Sequence, residues 1–285
     1  CGSSSIGKRI SFFDKSLKKY KLPKIVKFNK NFLSNVDVVF TALPNGESQK
    51  ISSLLLKKNI LIDLSADFRL KKTSAFLKWY KIKHKAKKLI KHSVYALPEI
   101  KRNNIKDSKI ISCPGCYPTS ILLPLIPLLK KGLISNNNII IDSKSGYSGA
   151  GRGVHKKYKN QNLYESLSAY GLALHRHNSE IQQELDLFSK KKNKFHFTPH
   201  LTPMFRGILS TIYIDLNKGV TKNIVNSELK KYYKNERFVK ISNPDTFLST
   251  NDVINTNNCF ISVCNSKYKS KLIILSVIDN LIKGG

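Results

Sequence analysis

Cys116 stands in the stretch Ser112-Cys113-Pro114-Gly115-Cys116-Tyr117-Pro118-Thr119, where a strand-like run gives way to an apolar helix. A cysteine at a helix start meets the positive end of the helix dipole and free backbone N–H groups. Both favour the thiolate, the form that attacks carbonyl carbon. Cys116 fits that position better than Cys113. A small buried hydrophobe is the structural alternative. Cys113 and Cys116 also form a C-x-x-C, but zinc needs two further ligands, and Cys259 and Cys264 lie in strand-like sequence. No metal is expected.

A second group, His175-Arg176-His177-Asn178-Ser179-Glu180, places two imidazoles and a carboxylate around a helix start. Histidine is the natural proton carrier near neutral pH. Glu180, three residues after His177, is positioned to orient a ring, and the residues alone do not choose between His175 and His177. A third stretch, Ser145 to Gly153, holds four glycines in nine residues and lets a ligand approach backbone N–H groups. Its spacing matches neither a Walker nor a Rossmann phosphate loop.

These segments need a scaffold, and the hydrophobic pattern supplies one. Strand-like runs at Val36 to Leu43, Ile60 to Ser65 and Lys109 to Cys113 alternate with helix-like runs at Glu47 to Lys58 and Tyr117 to Lys130. Such alternation predicts a parallel α/β sheet. After about residue 137 strand-like runs dominate, at Ile139 to Asp142, Phe195 to His200, Ile208 to Leu216, Cys259 to Cys264 and Leu272 to Val277, which predicts a second, α+β domain. Helices are expected to start with Asn178 as N-cap and after Thr221.

The chain has 285 residues, 41% of them hydrophobic, enough for a sizeable core. Its longest apolar neighbourhood, Ile121 to Leu129, is interrupted by Pro124 and Pro127 and is far short of a membrane span. Five cysteines, an odd number, argue against a secreted disulfide framework and for a cytoplasmic location. The first residue is Cys1 and no signal-peptide pattern follows, so the chain is expected to start inside a longer product. A net charge of +32 raises nucleic acid as a partner. The lysines are scattered, do not interleave with aromatic residues, and accompany no nucleic-acid motif, so neither nucleic acid nor membrane is expected to be the partner.

In combination, PGCYPT at 114–119, SGYSGAGR at 145–152, HRHNSEI at 175–181 and FTPHLTPMFRGI at 197–208 resemble the N-acetyl-gamma-glutamyl-phosphate reductase family. DVVFTALPNGES at 37–48, IDLSADFRL at 62–70, YALPEI at 95–100 and IDNLIKGG at 278–285 extend the likeness over nearly the whole chain. The resemblance implies a Rossmann-like NADP-binding domain, residues 1–114 with 278–285, joined to an α+β catalytic and dimerisation domain of the glyceraldehyde-phosphate-dehydrogenase type, residues 115–277. It implies a homo-oligomer, dimer or tetramer, with NADP(H) as cofactor and an acyl phosphate as substrate in arginine biosynthesis.

By the same resemblance Cys116 is the nucleophile, with His175 or His177 serving proton transfer and Glu180 fixing the imidazole. Arg152 and Arg206 are expected to bind the substrate's carboxylate and phosphate. Ser3, Ser4 and Lys8 are expected near the adenine-side phosphate, and Gly146, Ser148 and Asn280 near the nicotinamide. The family's opening strand and G-x-x-G-x-x-G loop have no counterpart here, so the first βαβ unit is expected to be missing, along with a helix that would follow Gly285. The alternatives are a lysine-pathway aminoadipyl-phosphate reductase, a lysine-rich nucleic-acid-binding protein and a non-catalytic assembly subunit.

Overall fold

In the computed structural model, residues 5–151 and 164–285 are described below. Arg152, Ser3 and Ser4 lie outside the described residues.

The first half builds a four-stranded sheet from β1 (Val38–Thr41), β2 (Ile60–Asp63), β3 (Ser93–Tyr95) and β4 (Ile110–Ser112), in the order β1-β2-β4-β3. All three pairings are parallel, as the alternation predicts. Its helices are α1 (Ser48–Ser52), α2 (Thr73–Tyr80) and α3 (Pro98–Lys106). The expected helix from Glu47 to Lys58 is one short turn, because Asn59 bends the chain back. The Asn59 amide donates to the carbonyls of Leu33 and Val36, and its oxygen accepts from the Leu56 N–H.

The second half forms a seven-stranded mixed sheet. Its strands are β5 (Ile139–Gly146), β6 (Ser168–Ala169), β7 (Phe195–Thr202), β8 (Ile208–Asp215), β9 (Val239–Ile241), β10 (Cys259–Asn265) and β11 (Lys271–Ile278), in the order β6-β7-β5-β8-β11-β10-β9. Helix α4 (Cys116–Lys130) lies against one face of this sheet, between α5 (His177–Ser189) and α6 (Lys222–Tyr232). Along α4 the chain is buried without a break from Tyr117 to Leu129, so this helix is the centre of the main core. Where its first turns meet the sheet, the packed side chains are small: Ser120 and Ser143 each hydrogen-bond Ser210, at 2.8 and 2.7 Å. Serines there let the opening of α4 approach the strands closely while each hydroxyl keeps a partner.

Pro124 and Pro127 sit inside α4. Proline carries no N–H, so Pro127 leaves the Leu123 carbonyl without its helical donor. The buried Tyr233 hydroxyl, just past α6, donates to that carbonyl at 2.5 Å. Thr221 caps α6 as expected, its side chain accepting from the Ile224 N–H. Asn178 does not cap α5. The helix starts two residues earlier than that cap implies, at His177, because the chain from Gly171 enters it already coiled, and the Asn178 amide donates instead to the His175 carbonyl. Among the described residues no helix is long and apolar enough to cross a membrane.

Candidate active site

Three parallel strands, β1, β2 and β4, direct their carboxyl ends to one rim of the smaller sheet, where open α/β sheets bind ligands. β4 runs through Cys113, whose N–H donates to the Asp63 carbonyl, into Pro114 and Gly115. Gly115 is the N-cap of α4 and Cys116 its first residue. The strand-to-helix elbow read from the sequence is therefore present, with Pro118 tolerated in the first turn.

The environment of Cys116 differs from the expected one. Burial pushes its thiol up to about 11, although the backbone N–H groups of Tyr117 and of Cys116 itself, and the positive charge of Arg69, pull it down. Desolvation outweighs the helix start. Part of the cover is Gly284: a Cβ added there would lie 2.7 Å from the Cys116 Cβ. Cys113, beside it, is also raised by burial.

Across the elbow stands α5. Glu180 is fully buried and uses both carboxylate oxygens. Oε1 accepts from Arg69 Nη1 at 3.1 Å; Oε2 accepts from the Tyr95 hydroxyl at 2.9 Å and from the Gly115 N–H at 3.0 Å. His177 Nε2 is 3.8 Å from Oε1, an ion-pair distance beyond hydrogen bonding. Glu180 thus joins the elbow by hydrogen bonds and faces the His177 ring at ion-pair range.

His177, at the first position of α5, lays its ring on Gly115. A Cβ at residue 115 would sit 2.4 Å from His177 Nε2, so glycine is what lets the ring approach. Burial, with Arg69 and Arg176 nearby, drives the His177 pKa well down, so the ring is neutral near pH 7. His175 lies one layer further out: its Nδ1 accepts from the His177 N–H at 3.2 Å, and its ring meets those of Tyr117, Tyr170 and Phe197. The thiol and the nearer imidazole are thus both neutral at rest.

On the other side of the site the glycine-containing loop is held by a close backbone approach. Gly146 and Ser148 donate to the carbonyls of Gly207 and Phe205 at 2.9 and 3.0 Å. Asn280 joins the group, accepting from the Gly207 N–H at 2.6 Å and donating to Ser148 Oγ at 3.0 Å. Arg206 pairs through Nε with Asp279 at 3.2 Å and donates to Asn255. Gly146, Ser148, Arg206 and Asn280 therefore come together, and the turn of residues 279–285 carries Asn280 to Gly284 and so to Cys116. Lys8 is not drawn into this group; its side chain lies over Phe12.

Arg69, Tyr95 and Gly115 carry the site's geometry without having been assigned chemistry from the sequence. Arg69 follows β2 in a stretch with no helical or strand period, so its partner 111 residues away leaves no local signal. Two clefts of about 870 and 1160 Å³ flank α5, and the described residues lining them include neither Cys116 nor the two histidines. Cys116 and His177 lie at the carboxyl rim instead.

Residues 1–108 match the model of the semialdehyde dehydrogenase NAD-binding domain, and residues 116–280 that of the semialdehyde dehydrogenase dimerisation domain. N-acetyl-gamma-glutamyl-phosphate reductase of Desulforamulus reducens is 45% identical over 272 residues, covering 95% of this chain and 77% of that protein. The chain belongs to the N-acetyl-gamma-glutamyl-phosphate reductase family. A probable chloroplastic N-acetyl-gamma-glutamyl-phosphate reductase of Arabidopsis thaliana is 44% identical, covering 94% of this chain and 67% of that protein. Aspartate semialdehyde dehydrogenase from Francisella tularensis, at 15% identity, superposes with a TM-score of 0.69 over the whole chain and 87% of its own, a likeness of fold.

The site fits the nicotinamide cofactor implied by the NAD-binding domain. The carboxyl rim of the parallel strands opens beside Cys116, and the Ser148–Asn280 pair offers amide and hydroxyl groups next to the loop of Gly146 and Gly149.

Proposed function

We propose that this chain performs the reaction its relatives are named for, the NADPH-dependent reduction of N-acetylglutamyl phosphate to N-acetylglutamate semialdehyde, with Cys116 as nucleophile and His177 as acid and base. The observation that supports it most is the elbow: a cysteine opening a buried helix at the carboxyl rim of a parallel sheet, under a neutral histidine. Both relatives carry the glutamyl name, so the aminoadipyl alternative is set aside.

His177, neutral at rest, takes the thiol proton as Sγ bonds to the acyl carbon. Phosphate leaves with its bonding electron pair and takes up a proton from solvent, giving a thioester on Cys116. The cofactor, when bound by Ser148, Asn280 and the loop of Gly146, supplies hydride. The tetrahedral oxygen that forms then collapses to the aldehyde, the C–S bond breaks, and the sulfur recovers its proton from His177. Glu180 and Arg69 hold the elbow, His175 backs His177, and Arg206 and Arg152 bind the substrate's anionic ends. Lys8, Ser3 and Ser4 serve the adenine-side phosphate. The open face of the larger sheet, with Ile140 and Tyr213 exposed, pairs with a second copy.

The test is phosphate-dependent reduction of NADP by N-acetylglutamate semialdehyde, with wild type and Cys116→Ser side by side. Wild-type activity lost in the variant supports the thioester route. An inactive wild type, or an active serine variant, would overturn it.

A further inference from the structure

Lys283 and Glu99 form an ion pair that the reaction does not use. Both side chains are almost wholly buried, 7% and 4% exposed, and Glu99 Oε2 has no hydrogen-bond partner. The pair joins α3, in the smaller-sheet half, to the turn of residues 279–285 that follows β11 in the larger-sheet half. The Lys283 ammonium also lies 5.6 Å from the Phe238 ring centroid. A buried ion pair of this kind adds little net stability, while its geometry fixes how two elements meet.

What it fixes here is the cover of the thiol. The turn has separate anchors at its start: Asp279 accepts from the N–H groups of Asn255, Leu281 and Gly284 and pairs with Arg206, and Asn280 holds Gly207 and Ser148. At its far end Lys283 supplies the side-chain anchor next to Gly284. Gly284 packs so tightly on Cys116 that an added Cβ would lie 2.7 Å from its Cβ and 2.9 Å from its Cα. A shift of the turn's far end therefore changes the packing on the Cα and Cβ that carry the sulfur.

We propose that Lys283, through its pair with Glu99, is a positioning residue that sets how closely the 279–285 turn covers Cys116 and thus how reactive the thiol is. The proposal rests on Cys116 being the working thiol, and it adds a control on that thiol from residues that do not touch it.

The experiment is alkylation of the full chain by iodoacetamide between pH 7 and 10, with Cys116 and Cys113 modification read separately by peptide mass. Wild type is compared with Glu99→Gln, Lys283→Met and the double variant, which leaves no unpaired buried charge and so keeps the test open where a single variant fails to fold. Expected is a rise in the Cys116 rate of about tenfold or more, with a pH profile moved to lower pH, an almost unchanged Cys113 rate, and partial return toward wild type in Lys283→Arg. Cys116 reacting at the wild-type rate in the double variant would overturn the proposal. So would parallel acceleration of Cys113, which would mean general loosening. Alkylation needs no turnover, so an inactive wild type would sink the proposed function and leave this result readable.

Discussion

Replacing Gly115 by alanine isolates the contact between the elbow and the imidazole. The residue has φ −70° and ψ 158°, which alanine adopts without strain, so the backbone of α4 keeps its start. The new methyl would lie 2.4 Å from His177 Nε2 and 2.8 Å from both Cδ2 and Cε1. Ordinary non-bonded contact begins near 3.5 Å, so the ring is displaced by about 1 Å. A misplacement of that size costs on the order of 100-fold in rate, about 2.7 kcal/mol of activation free energy. The loss of folding stability is expected to be only about 1 kcal/mol, since the substitution is at an N-cap without a side-chain bond. Steady-state kinetics of the semialdehyde reaction, paired with thermal unfolding, separate the two quantities. A kcat within about twofold of wild type in a folded Gly115→Ala protein would refute a catalytic role for His177 at this position.

Three further outcomes follow from the geometry. Tyr233→Phe should lose about 1 to 2 kcal/mol in urea unfolding, because the Leu123 carbonyl opposite Pro127 then has no donor; an unchanged midpoint would show that the helix finds another partner. Arg69→Met strands the buried Glu180 carboxylate and should cost about 3 kcal/mol or more, and a variant as stable as wild type would contradict the ion-pair account. Because the wild-type Cys116 thiol is pushed up to about 11, its alkylation should climb about tenfold per pH unit through pH 10, whereas an ordinary cysteine levels off above about pH 9. A plateau at pH 9 would mean that the thiolate is favoured after all.

The legible parts of this protein were those with a local physical cause. The strand-to-helix passage through Cys116 shows in the change from β-branched run to apolar helix, and Thr221 announces α6 by its hydroxyl. Parallel order in the smaller sheet follows from alternation alone. Helices α2 and α3 escaped because they are short, eight and nine residues, and bury only Phe76 and Tyr80 in α2 and Glu99 in α3. Long-range pairing is what the local pattern does not show. The spacing of three residues brings Glu180 within ion-pair range of His177, but its hydrogen-bond partners come from residues 69, 95 and 115. The helix start of Cys116 is local and real, whereas the burial that overrides it comes from tertiary packing, in which Gly284, distant in the chain, lies on its Cα and Cβ.

Glu180 meets its three partners across 111, 85 and 65 residues of chain. Contacts of such separation require long loops to close and form slowly relative to local helices. The site is therefore complete only once these distant segments have met. A chain still emerging or only partly folded carries Cys116 without its imidazole, its cover or its carboxylate brace. Its thiol then titrates as an ordinary cysteine, without the burial that pushes it up in the folded protein.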